Sequence, residues 1–183
     1  MYFSELNIQS FRMINGLGKA FPALNPAFIF IAEYFLYLMI VPIGLFLFAP
    51  RFRNRRLVAA ALLTVAAALI LRIGVAKLHS NLQPFAELPD VNQLVEKTVG
   101  NSFPSDHTIL FFSLCTTFAL FSKRFGWLWM LLGALVGFSR VWVGVHYPAD
   151  VIAGALTAIA AAFIVYAVII RVTRAHRFER AEG

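Results

Sequence analysis

An all-α integral membrane bundle of about five transmembrane helices, with a further interfacial helix at its N-terminus, is predicted by three properties of this sequence. Hydrophobic residues make up 60% of the 183 positions and the mean hydropathy is +0.76, above the roughly half-apolar composition of soluble domains. The apolar residues fall in long runs broken by only one or two ionisable groups, and each run approaches the roughly 20 residues that cross a hydrocarbon core. The length allows one compact bundle, so residues 1–183 are expected to form a single membrane-embedded domain.

Residues 1–25 contain the interfacial helix. Between positions 3 and 17, Phe3, Leu6, Phe11, Met13, Ile14 and Leu17 alternate with Glu5, Asn7, Gln9, Arg12 and Asn15, an imperfect amphipathic pattern. Pro22 and Pro26 turn the chain into a first span over about 27–48, which holds Glu33 and a kink expected at Pro42. A connector at 50–56 carries Arg51, Arg53, Arg55 and Arg56, and a second span over 57–78 carries Arg72 and Lys77 near its end. A polar loop over 80–104 follows, with a short helix expected where Asp90 and Gln93 have capping-box spacing. The remaining spans are expected at 105–122, 126–145 and 148–170, the last rich in alanine and suited to close helix packing. Residues 171–183 form a basic tail.

Charge gives the topology. Of sixteen Lys and Arg residues, four lie in 51–56, two at 123–124 and four in the tail, ten in all. With five spans those segments share one face, which the positive-inside rule makes cytoplasmic. The C-terminus is then inside and the N-terminus outside. The net charge of +7 is thus absorbed by topology, and no basic helix interleaved with aromatics suggests a nucleic-acid face. Cys115 has no partner cysteine, so it reads as core packing. The first 25 residues lack the features of a secretory signal peptide.

Two polar clusters break the apolar background, Pro104-Ser105-Asp106-His107 and the stretch from Ser139 and Arg140 through His146 to Asp150. Ionisable groups at such depth are expensive to keep and mark function. The topology brings both clusters, with Arg72 and Lys77, to the outer face. Arginine offers a planar fork that suits phosphate, and Ser105 stands where an N-cap belongs, so the open end of the third span would face a bound anion. Two imidazoles beside such a cradle can divide nucleophilic attack and proton donation. Asp150, four residues after His146, can accept from one ring nitrogen and leave the other free to attack. No carboxylate cluster has metal-ligand spacing, so protein cations are expected to stabilise the transferring group without metal or other cofactor.

Pro104-Ser-Asp-His107 and Ser139-Arg140-x5-His146-x3-Asp150 resemble the second and third motifs of the type 2 phosphatidic acid phosphatase superfamily. Within it, the Asp of Pro-Ser-Asp-His, the spacing of Trp142 and Gly144 and the chain length resemble bacterial undecaprenyl-pyrophosphate phosphatases of the bacitracin-resistance type. The resemblance implies that His146 is a nucleophile forming a phosphohistidine, Asp150 its partner and His107 the general acid, with Arg140 and Ser105 holding phosphate. It implies a polyprenyl pyrophosphate substrate and a bacterial inner (cytoplasmic) membrane location, with the site facing the periplasm or exterior.

The first motif departs from the family pattern. Lys-x6-Arg-Pro is replaced by Lys77-x5-Gln83-Pro84, with Ala76 where the lysine would stand. Lys77 reaches the site from one residue along, Arg72 substitutes, or phosphate is held more weakly. Glu33 is expected to be neutral or paired with an inward arginine, and Ser139 and Asp106 to support the site from behind. Other lipid phosphates, namely phosphatidylglycerophosphate, phosphatidic acid and a lipid A phosphate, fit the same chemistry. A non-catalytic lipid-binding or transport protein is the alternative favoured by the altered first motif.

Overall fold

The computed structural model describes residues 2–121 and 125–182, with side chains described over 4–121 and 125–174. The expected span end at Ser122 and the connector Lys123-Arg124 lie outside the described residues, as do the side chains of His176, Arg177 and Arg180. Eight α-helices follow in order among the described residues: α1 (Tyr2–Ala20), α2 (Asn25–Leu38), α3 (Ile40–Phe48), α4 (Arg55–Val75), α5 (Pro84–Glu87), α6 (Asp106–Phe121), α7 (Gly126–Trp142) and α8 (Pro148–Glu182). A 3-10 turn at Pro22–Leu24 links α1 to α2.

Pro22–Phe48, Arg55–Val75 and Pro148–Arg174 are long and apolar enough to cross a membrane. The first of them is interrupted at Met39, one turn ahead of Pro42, because the proline has no N–H to give the carbonyl of Leu38. The third and fourth apolar spans, α6 and α7, are shorter at 16 and 17 residues. Helix α6 packs against α4, α7 and α8, and most of its residues from Thr108 to Phe118 are buried. A central helix need not reach both interfaces itself, since irregular backbone is tolerated at membrane depth where protein buries it.

The surface inverts that of a soluble protein. Leu62, Leu63, Ile70 and Ile73 of α4 and Ile152, Leu156, Phe163 and Ile164 of α8 point outward, where lipid is their solvent. Small residues face inward instead, with Ala68 of α4 and Ala161 of α8 meeting on Ile109 of α6. Gly154 lets α8 approach the head of α6 so closely that a Cβ there would stand 2.8 Å from the Ser105 carbonyl oxygen.

One expectation is corrected and another extended. The short helix of the 80–104 loop is α5, which starts at Pro84 and not at Asp90. Asp90 adopts φ 62°, a left-handed conformation incompatible with an N-cap, and the Gln93 side chain donates to the Val95 carbonyl. Helix α1 is also more than an interfacial float. Phe11 is buried on Val141 and Tyr147, and Asn15 Nδ2 donates to the carbonyls of Asn92 and Trp142 while its Oδ1 accepts from Asn92 N–H. Helix α1 therefore straps the polar loop to the end of α7.

Candidate active site

The turn from Val143 to Tyr147 carries His146 between α7 and α8. Gly144 makes the turn possible, at φ +85° and with the Asn92 carbonyl oxygen 2.7 Å from where a Cβ would sit. His146 is consequently 2% exposed. Its Nδ1 lies 3.0 Å from Ser102 Oγ and 3.5 Å from Asp150 Oδ2. Ser102 Oγ donates to Asp150 Oδ2 at 2.6 Å, and the same oxygen accepts the Tyr147 N–H at 2.9 Å.

These partners assign the tautomer. Ser102 has one hydroxyl proton and gives it to Asp150, so its contact with Nδ1 is an Nδ1–H donating to Oγ. Nε2 then carries the lone pair, and the Lys97 ammonium donates to it at 2.7 Å. Burial pushes the His146 pKa down to about 4; the hydrogen bond to Asp150 opposes that shift and the Lys97 charge adds to it. The imidazole is thus neutral at pH 7. Lys97 is itself lowered to about 8, by burial first and then by Arg140, against the pull of Asp106 and Asp150.

Lys97 also lines a cavity of about 360 Å³, together with Glu33 and Tyr34 of α2, Glu96 of the loop, His107 of α6 and Arg140 of α7. Arg140 is 4% exposed, and its Nη1 donates to the Ala32 carbonyl at 2.9 Å. Its buried Nε has no hydrogen-bond partner. A guanidinium held by one arm with another donor unsatisfied is poised for an anion. Glu33 lies within the electrostatic reach of Arg140. Ion pairs within 4 Å among the described residues join Arg72 to Asp106 and His146 to Asp150, so Glu33 shares a cavity with Arg140 without closing a pair.

The other expected residues are placed as follows. Ser105 is fully buried; its N–H donates to the Asp150 carbonyl, its hydroxyl accepts from Thr108 Oγ1, and its carbonyl accepts from Ile109 N–H at the head of α6. Ser139 donates to the Val136 carbonyl within its own helix. Arg72 grips Asp106 with both Nε and Nη2 at the rim. Lys77 is exposed in the turn after α4 and does not line the cavity. Gln83, 2% exposed, accepts the Gly100 N–H at 2.9 Å, and Ser102 N–H donates to the Asn81 carbonyl. Those bonds bend the loop so that Lys97 and Ser102 meet His146. Neither residue was singled out by the sequence, because a Lys or Ser in a polar loop carries no signal that separates it from a solvated one.

A helical bundle that gathers His107 and a half-satisfied guanidinium in one cavity, with a second imidazole, His146, joined to it through Lys97, is equipped to pass a phosphoryl group from lipid to water, and the protein is a membrane lipid phosphatase. Residues 57–174 match the PAP2 superfamily, and the chain belongs to it. It is 49% identical over 166 residues to the bacitracin transport permease protein BcrC of Bacillus licheniformis, covering 91% of this chain and 82% of that one. It is 31% identical over 163 residues to undecaprenyl-diphosphatase BcrC of Bacillus subtilis, covering 88% and 83%. The crystal structure of Aquifex aeolicus LpxE superposes with a TM-score of 0.75 at 30% identity, over 88% of this chain and 94% of that one.

Proposed function

We propose that the protein hydrolyses undecaprenyl pyrophosphate to undecaprenyl phosphate and inorganic phosphate, returning the lipid carrier of envelope glycans to use. The observation that carries this is the division of His146, with Nδ1–H turned onto Ser102 and Asp150 and the Nε2 lone pair on Lys97, which lines the cavity with Arg140. Nε2 attacks the terminal phosphorus while the bond to the bridging oxygen breaks. His107 gives that oxygen its proton, and lipid monophosphate leaves. Water then attacks the phosphohistidine, yields a proton to His107 and releases inorganic phosphate, which restores Nε2. Arg140 and the open end of α6 behind Ser105 hold the equatorial oxygens, and protein cations take the role of a metal. A transport role, which the name of the Bacillus licheniformis relative carries, leaves the buried His146, Ser102 and Asp150 chain without work.

Residues 1–183 act as one domain in this proposal. Helix α1 lies at the outer interface, the 80–104 loop and the cavity face the periplasm or exterior of a bacterial inner membrane, and residues 171–183 extend into the cytoplasm. Purified protein in detergent with excess chelator is expected to release phosphate from undecaprenyl pyrophosphate, and His146→Ala to lose at least about 10³-fold in kcat. Full activity of His146→Ala would remove the nucleophile, and faster turnover of phosphatidylglycerophosphate, phosphatidic acid or lipid A phosphate in a substrate panel would replace the lipid.

A further inference from the structure

We propose that Lys97 supplies the phosphate-binding cation missing from the first motif, and that it reaches the phosphate by moving off the nucleophile His146. The proposal rests on the phosphatase reading above and names a further binding residue of the same site.

Three observations converge on it. The position at which related phosphatases are expected to carry an arginine is Gln83, which is buried and uncharged and has its side-chain oxygen committed to Gly100 N–H. The two nearby cations that could compensate are elsewhere: Arg72 is held by Asp106, and Lys77 is exposed away from the cavity. Lys97 alone among these lysines and arginines joins Arg140 in lining it. The hydrogen bond that occupies Gln83 also fixes Gly100, three residues beyond Lys97, so the residue that lost the charge anchors the loop that delivers another.

The position of the ammonium defines its movement. Nζ stands 2.7 Å from Nε2, on the lone pair that must point at phosphorus, and a phosphorus atom poised for attack would sit about 3–3.5 Å from the same nitrogen. The two cannot be there together. An arriving phosphoryl group therefore displaces Lys97 from Nε2, and its anionic oxygens are the nearest acceptors for the displaced donor, forming a charge-assisted hydrogen bond stronger than the one to a neutral imidazole. Uncharged esters offer no such exchange. The nucleophile is thus covered in the empty site and uncovered by the anion itself, which selects for strongly anionic phosphoryl groups.

The test compares full-length wild type, Lys97→Met and Lys97→Arg in detergent, using inorganic phosphate as the probe. Calorimetric phosphate binding and phosphate inhibition are each expected to weaken about tenfold or more in Lys97→Met, with a matching rise in KM, and to stay within about threefold in Lys97→Arg. Binding of phosphate by Lys97→Met as tight as in wild type overturns the proposal, and so does a Lys97→Arg protein as weak as Lys97→Met, since charge would then not be the cause. If Lys97→Met does not fold, Lys97→Gln, which can still donate to Nε2, makes the same comparison. Wild-type hydrolysis that His146→Ala abolishes, together with unchanged phosphate binding in Lys97→Met, would sink the Lys97 role and leave the phosphatase reading standing; absence of wild-type hydrolysis would sink the phosphatase reading.

Discussion

At His146 the two ring nitrogens are given different work by neighbours from three parts of the chain. Asp150 is one helical turn on, Ser102 is 44 residues back and Lys97 is 49 residues back. The first of these was legible, because a carboxylate four residues from a histidine in an apolar chain is too costly to be incidental. The other two were not, because their approach depends on a loop path fixed by backbone bonds to distant residues. The consequence for pH follows from both shifts. His146, the proposed nucleophile, loses its proton near pH 4 and stays neutral throughout the neutral range. Lys97, with its pKa lowered to about 8, loses its charge as the pH rises through that value in the free enzyme. It faces Arg140, Asp106, Asp150 and His146, and Glu33, Glu96 and His107 line the same cavity. Inorganic phosphate binding is therefore expected to fall above about pH 8, and Lys97→Arg to move that fall upward by at least about one unit, since arginine keeps its charge. An unmoved alkaline limb in Lys97→Arg would assign the fall to another group.

At the level of elements, α1 shows what periodicity leaves open. An amphipathic pattern gives an apolar face but does not say whether lipid or protein covers it. Phe11 lies edge-on to Tyr147 with ring centroids 5.4 Å apart, and the Tyr147 hydroxyl donates to Glu87 of α5. Asn15 completes the strap. Its side chain makes three hydrogen bonds, to the Asn92 carbonyl, the Asn92 N–H and the Trp142 carbonyl, and it is buried. Asn15→Ala removes all three and orphans the buried Trp142 carbonyl at about 1–3 kcal/mol, with the half-buried Asn92 groups adding less. The loop around Asn92 should then loosen before the bundle unfolds, while residues 97–105 stay tied through Gln83, His146 and Asp150. Faster proteolysis within that loop, with the bundle's helical signal unchanged and kcat lowered, is the expected outcome. Normal loop protection would show that α1 is dispensable for the site.

For the whole molecule, the apolar helices were readable because hydrocarbon thickness acts on any sequence. The gathering of the site was not, because it depends on α6 being a central helix packed by α4, α7 and α8. Orientation is the point at which fold and chemistry meet. The connector between α3 and α4 exposes Arg51, Arg53, Arg55 and Arg56, and α4 runs from there toward the end of the bundle where α6 begins and α7 ends. The cavity and that arginine cluster therefore lie at opposite ends of the bundle. If cations stay inside, Val99 in the loop beside Lys97 faces out and Phe52 faces the cytoplasm; both are exposed, at 60% and 55%. Cys115 is buried and should stay silent to a maleimide that cannot cross membranes. In intact cells Val99→Cys is expected to react and Phe52→Cys to react only after the membrane is opened. The reverse pattern would place the phosphatase cavity on the cytoplasmic leaflet, and the substrate would then have to be presented there.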